Sequence, residues 1–158
     1  EQIRSISVAI TYMAGKWRLA FTFAGKMPFM PEPARPERTD GLWLSTCFEL
    51  FVKGGDEGYT EFNFAPSTRW AAYRFTGYRQ DMSEIELVTP HIVAIESGIQ
   101  VEMEYPVDDS ADIRLGLSAI IEELDGTKSC WALAHPPGRP DFHHPDCFAL
   151  KIGAAGNI

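Results

Sequence analysis

The residues with the most chemical potential lie between Leu42 and Phe75, in LWLSTCFELFVKGGDEGYTEFNFAPSTRWAAYRF. Three runs in it read as short strands: about Thr46 to Lys53, Tyr59 to Phe64, and Arg69 to Phe75. Side chains alternate between faces along a strand. If the three strands are adjacent and antiparallel, Glu49, Glu61, Asn63 and Arg74 gather on one face, flanked by Tyr59 and Trp70. Charges in a half-buried place are costly unless paired. One reading is an ion pair of Arg74 with the glutamates that supports an ordinary sheet. Another is a cradle that offers hydrogen bonds to a polar ligand. A third makes Glu49 and Glu61 a glycosidase pair, whose carboxyls stand about 5 to 10 Å apart. Against it, Arg74 and Asn63 are expected to hold both carboxyls ionised, whereas an acid catalyst needs a raised pKa.

A second cluster lies in HPPGRPDFHHPDC, with His135, Asp141, His143, His144, Asp146 and Cys147. Imidazole and carboxylate suit a divalent transition metal, and His135, Asp141 and His143 are the candidate ligands. The spacing matches no standard motif. His143 and His144 are adjacent and point apart, so at most one joins His135. The alternative is that these groups cap the backbone of a proline-broken loop and pair with arginines such as Arg139. The sequence contains no GxSxG, no HExxH and no phosphate-binding glycine loop.

The elements around these clusters are strands. Ile6, Val8 and Ile10 alternate with small or polar residues, and Trp17, Leu19, Phe21 and Phe23 repeat the pattern after Gly15 and Lys16, as in an opening hairpin. The stretch from Gly25 to Gly41 holds four prolines and reads as a long loop leading into Trp43. Further strands are expected at Ile85 to Leu87, Ile92 to Glu96, Ile99 to Tyr105, Arg114 to Glu123, Cys130 to Ala134 and Cys147 to Ile152, with a tight turn at Asp125-Gly126. About ten strands and no substantial helix predict an all-β fold, an antiparallel β-sandwich of jelly-roll type, as a single domain over residues 1–158. Trp17, Trp131, Leu133 and Phe148 are expected in the core. Trp43 and Trp70, which follow a loop and a turn, are the tryptophans expected to face a ligand.

Apolar residues make up 45% and charged residues 23% of the 158, as in ordinary globular proteins. No apolar run approaches the length of a membrane span. A net charge of −8 argues against a nucleic-acid backbone or an anionic membrane as partner. Cys47, Cys130 and Cys147 read as buried free thiols, which leans towards a reducing, cytoplasmic compartment.

The runs LWLSTCFELF, YTEFNFAP and WAAYRFTGYR, with WALAHPPGRPDFHHPDCFAL near the end, resemble the DOMON-like group of bacterial domains, which are similar to family 9 carbohydrate-binding modules. The resemblance extends from about Trp17 to Leu150. It implies a β-sandwich with a concave binding face, Trp43 as the platform that stacks on a sugar, Glu49 as the carboxylate on its hydroxyls, and Arg74 as the arginine later in the same sheet. Those modules close over the sugar with a second tryptophan before the last strand; here that loop offers Phe142, His143 and His144. Some DOMON relatives bind haem b through methionine and histidine, for which Met103 or Met82 with His143 or His91 are the residues present. The expectation is a non-catalytic domain that binds a sugar or similar polyhydroxylated molecule through Trp43, Glu49, Glu61, Asn63, Trp70 and Arg74, with Phe142, His143 and His144 on the rim. Haem or metal binding, and a purely structural or protein-contact role, are the alternatives.

Overall fold

The computed structural model describes residues 3–108 and 110–153. Among them are eleven strands in two antiparallel sheets. One sheet has four strands in the order β1-β2-β8-β7: β1 (Ser5–Met13), β2 (Lys16–Ala24), β7 (His91–Ile95) and β8 (Gly98–Glu104). The other runs β10-β9-β3-β4-β5-β6: β3 (Cys47–Lys53), β4 (Tyr59–Phe64), β5 (Trp70–Phe75), β6 (Ser83–Glu84), β9 (Ile113–Glu122) and β10 (Lys128–Ala132). A last strand, β11 (Leu150–Ile152), pairs with the first residues of β9, while β10 pairs with its other end. The only helical pieces among the described residues are two single 3-10 turns, Leu42–Leu44 and Pro145–Cys147.

The period-two runs explain the sandwich. Trp17, Leu19, Phe21 and Phe23 on β2 meet Phe48, Leu50, Val52, Phe62 and Phe64 of the facing sheet in one apolar core. Each large side chain removed from water contributes about 1.5–3 kcal/mol. Ile6, Val8 and Ile10 are only half-buried, because β1 is an edge strand and its inner face borders an open apolar cleft beside Trp131 and Leu133. Leu133 is correspondingly exposed rather than part of the core. The strand expected at Ile85 to Leu87 is displaced to the two residues of β6.

The proline-rich stretch before Trp43 is not a free loop. It lies along the sheet edge, where the Thr39 N–H donates to the Trp70 carbonyl (2.8 Å) and the Ala34 N–H to the Ser67 carbonyl (2.8 Å). Arg38 bridges Trp70 in parallel register. Proline cannot continue a ladder, but it tolerates an edge.

Candidate functional site

The ladder register decides which side chains share the outer face of the seven-stranded sheet. Glu49 stands opposite Asn63 of β4 on one side and Ser118 of β9 on the other. Glu61 stands opposite Phe51 and Tyr73. Tyr59 is opposite Phe75. These residues therefore look away from the core, and Glu49, Glu61, Asn63 and Tyr59 lie together as expected.

Trp70 and Arg74 do not join them. Trp70 pairs with Phe64 and Arg74 with Thr60, both inward-facing. Trp70 is buried in the main core. Arg74 sits at the end of β5, where its long stem carries the guanidinium out of the sandwich to Asp56 at 2.6 Å. The alternation of β5 places Tyr73 and Phe75, not Trp70 and Arg74, on the face with the glutamates.

Half of this outer face is covered by the segment that precedes β11. Phe148 packs against Phe51 and Tyr59, with ring centroids 5.9 and 5.3 Å apart, in a second apolar cluster with Ala71, Tyr73 and Phe75. Phe148 thus belongs to a core, but to the outer one. Its close approach requires Gly116 beneath it: a Cβ there would lie 2.9 Å from the Phe148 ring and 3.3 Å from the Cys147 carbonyl. His143 stands edge-on to Phe51, Tyr59 and Phe75 at 5.1 to 5.8 Å.

The uncovered half is a groove of about 610 Å³. Glu49, Glu61, Tyr73 and Ile120 form its floor; Trp43, Arg79, Met82, Lys128, Cys130, Phe142 and His143 form its walls. Trp43 sits in the 3-10 turn that follows Gly41, whose φ of 75° glycine tolerates. Lys128 Nζ donates to the Leu44 carbonyl and ties this turn to β10. The indole is 43% exposed and meets the Tyr73 ring edge-on at 6.5 Å. Tyr73 is itself held by donating to Asp40 (2.5 Å), with the Arg38 guanidinium 5.2 Å from its ring centroid.

The floor is polar, buried and poor in positive charge. Ser118 Oγ donates to Glu49 Oε2 at 2.7 Å, and Asn63 Nδ2 donates to Glu61 Oε1 at 3.0 Å. Among the described residues Glu49 makes no ion pair. Burial, then the neighbouring Glu61, pushes the Glu49 carboxyl up to about 8 despite the Ser118 bond. Burial raises Glu61 to about 7, against the opposing pull of Asn63 and Arg79. The expectation that both are held ionised is therefore overturned: Arg74 is on the other face, and desolvation dominates.

His143 is likewise kept neutral. Burial, then Arg79, lowers it to about 4. The Arg79 backbone N–H donates to the Tyr59 hydroxyl (3.2 Å), and that hydroxyl lies 2.8 Å from His143 Nδ1. Tyr59 then donates to Nδ1, which places the imidazole proton on Nε2, facing Glu61 Oε2 at 3.6 Å. That approach is too long for a hydrogen bond, and with both groups shifted toward their neutral forms it is not a strong ion pair.

The wall is fastened by Asp141. It accepts from Arg79 Nη2 (2.7 Å), from the Tyr78 hydroxyl and from the His143 N–H (3.2 Å). Partial burial pushes this carboxyl up, but the Tyr78 and Arg79 bonds outweigh it and hold it below the usual range. Asp141→Ala is expected to lower stability by about 1 kcal/mol, most of the pair being solvent-screened. Urea unfolding at neutral pH checks this, and no change at all would mean that the segment is held by Phe148 alone.

The histidine-rich loop does not assemble the ligand set foreseen for a metal. Among the described residues no three His, Cys, Asp or Glu side chains converge as a metal site. His135 lies against Phe142, at 6.2 Å between rings, Asp141 is bound to Arg79 and Tyr78, and His143 faces Glu61. His144 turns away from the groove and caps the Pro145–Cys147 turn through Nδ1. Of the residues considered for haem, Met103 is in the core and His91 is exposed on the other sheet. Met82 and His143 do share the groove, but both ring nitrogens of His143 face protein partners.

The fold has a solved counterpart. The chain is similar to a crystal structure described as "a putative carbohydrate-binding protein from Bacteroides uniformis", with a TM-score of 0.65 and 15% identity, covering 90% of this chain and 75% of that one. A likeness at that identity is one of fold. No family model matches the sequence, and no curated protein matches it.

Tyr73, Phe75, Arg79, Ser118 and Lys128 are site residues that the sequence pattern did not single out, and Met82 stood out only as a haem candidate. For Tyr73 and Phe75 a signal was present: once β4 and β5 pair, they must share a face with Glu61. Cys130, expected to be buried, is exposed at the groove, while Cys47 and Cys147 are buried; all three thiols are free.

Proposed function

We propose that the groove binds a carbohydrate, or a similar polyhydroxylated molecule, without converting it. The observation that carries this reading is an exposed indole, Trp43, standing beside a buried floor of hydrogen-bonding groups in a groove of about 610 Å³. That volume falls within the range of small-molecule sites, roughly 300–1,000 Å³. A sugar ring has an apolar C–H side that suits an aromatic face. Its hydroxyls both donate and accept, which suits Glu49, Glu61 and Arg79 on floor and wall. Phe142 and His143 take the place of a closing aromatic wall. The resemblance to family 9 modules through Trp43 and Glu49, and the fold of the Bacteroides protein, support the same reading.

The carboxyl pair favours binding over hydrolysis. Glycosidases keep one carboxyl ionised beside one protonated. Here burial pushes Glu49 and Glu61 the same way, to about 8 and about 7. A thermal-shift screen against mono- and oligosaccharides tests the proposal. A ligand at tenfold to a thousandfold above its Kd adds about 1.4 to 4.1 kcal/mol of stability. Silence across such a panel would leave the polar floor as internal scaffolding and sink the binding role.

A further inference from the structure

The floor of the groove is made of carboxyl and amide groups, and among the described residues no lysine or arginine forms an ion pair with either carboxyl. Glu49 and Glu61 are diagonal neighbours on β3 and β4, a relation that places side chains roughly 7–8 Å apart. Between them lies Asn63, directly opposite Glu49 and two residues from Glu61. Asn63 is fully buried, its amide nitrogen is committed to Glu61, and its Oδ1 has no hydrogen-bond partner among the described residues. A buried acceptor without a donor costs about 1–3 kcal/mol, and in the free protein the group placed to supply one is the protonated carboxyl of Glu49, directly opposite.

The other charged and titratable groups around the floor are committed elsewhere. Arg79, from the loop after β5, is bound to Asp141. Lys128, from β10, reaches the Leu44 carbonyl. His143 is turned to Tyr59 and Glu61. Tyr73 donates to Asp40. Cys47 and Cys130 are near enough to feel the carboxylates, and their thiols are raised, by burial first.

We propose that the sugar bound here carries a protonated amine, and that its ammonium group enters the floor between Glu49 and Glu61, beside Asn63. An ammonium has three donors and no acceptor, the complement of two carboxyls once they ionise, with an amide oxygen beside them. It also restores the partner that buried carboxylates need. Tyr73 stands opposite Glu61 in the ladder and touches Trp43, so one side chain separates the stacking platform from the charged floor. Binding then exchanges charge: as the ammonium enters, a carboxyl that burial had kept protonated gives its proton to solvent.

This inference rests on the carbohydrate reading above, and calorimetry separates the two. The probes are a β-1,4-linked glucosamine oligomer and the glucose oligomer of the same length and linkage, titrated at about pH 6 in two buffers of different ionisation enthalpy. The amine-bearing oligomer is expected to bind roughly tenfold tighter or more, with release of about one proton per ligand. Glu49→Gln and Glu61→Gln, each checked for cooperative melting, are each expected to shrink both the preference and the proton release. Equal affinities without proton release overturn the inference and leave the carbohydrate reading standing. A preference that survives both substitutions overturns it as well. If neither oligomer binds, nor any other sugar, the carbohydrate reading falls with it.

Discussion

Glu49→Gln is expected to raise stability by less than about 1 kcal/mol at pH 5 and by on the order of 4 kcal/mol at pH 8. Glu49 is fully buried on the outer face of β3, with Ser118 as its hydrogen-bond donor. Its folded pKa of about 8 lies above the ordinary value of 4.5. A carboxyl raised by folding contributes stability that is fully present below the unfolded pKa and is lost as pH rises through the folded one. Between about pH 4.5 and 8 the unfolded chain ionises while the folded chain does not, and each such group removes about 1.4 kcal/mol per pH unit. Glu61, raised to about 7, adds to this fall. His143 works in the opposite sense lower down: its folded pKa of about 4 lies below 6.5, so its neutral form gains stability as pH rises from 4 to 6.5. The native protein should therefore lose stability most steeply around pH 6 to 7.5, the reverse of the usual acid-labile profile. Glutamine keeps the acceptor that Ser118 uses and cannot ionise, so the variant escapes Glu49's share of that fall. Urea unfolding of both proteins at pH 5, 6.5 and 8 reads the difference. Parallel pH profiles would mean that Glu49 is ionised in the folded protein and that the floor already holds a cation.

Trp43→Ala is expected to weaken carbohydrate binding by roughly thirtyfold or more, the effect of losing a central aromatic anchor. Stability should change by less than about 1 kcal/mol, because Trp43 is 43% exposed in a single 3-10 turn and its ring contact is with Tyr73. The turn itself survives, since its ties run through Gly41 and the Lys128 bond to Leu44 rather than through the indole. Parallel calorimetry and melting of the two proteins distinguishes a binding residue from a packing residue. An unchanged affinity beside a large fall in melting temperature would reverse the assignment.

The strands of this fold are legible because their inward residues are large and strictly alternate, as in Trp17 to Phe23 and Phe48 to Val52. The gathering of Glu49, Glu61 and Asn63 is legible too, since two adjacent antiparallel strands leave few registers that bury Phe48, Leu50, Phe62 and Phe64 together. The face of β5 is not. Both of its faces carry aromatics, and Arg74 draws attention by its charge although its length lets it leave an inward position at a strand end. That one misplacement also inverts the electrostatics, turning buried carboxyls with no arginine ion-paired to them among the described residues into a supposed ion pair. The covering of the outer face by Phe148 and His143 joins residues such as Tyr59 and His143, 84 positions apart. Nothing in local pattern marks such a contact; a proline-broken loop reads equally well as a rim or as a lid. The histidines suggested metal chemistry by type alone, whereas their neighbours use them as a ring wedge at His143 and a turn cap at His144.

The most direct measurement uses the four tryptophans as position markers. Each indole N–H gives its own resonance in a protein-observed NMR titration, and the four sit in different surroundings. Trp17 and Trp70 are in the core, Trp131 borders the apolar cleft beside β1, and Trp43 stands at the groove. Titration with the oligosaccharide that gives the largest thermal shift should move the Trp43 indole and leave Trp17, Trp70 and Trp131 in place. Movement of Trp131 with Trp43 unmoved would place the ligand in the other cleft and contradict the account.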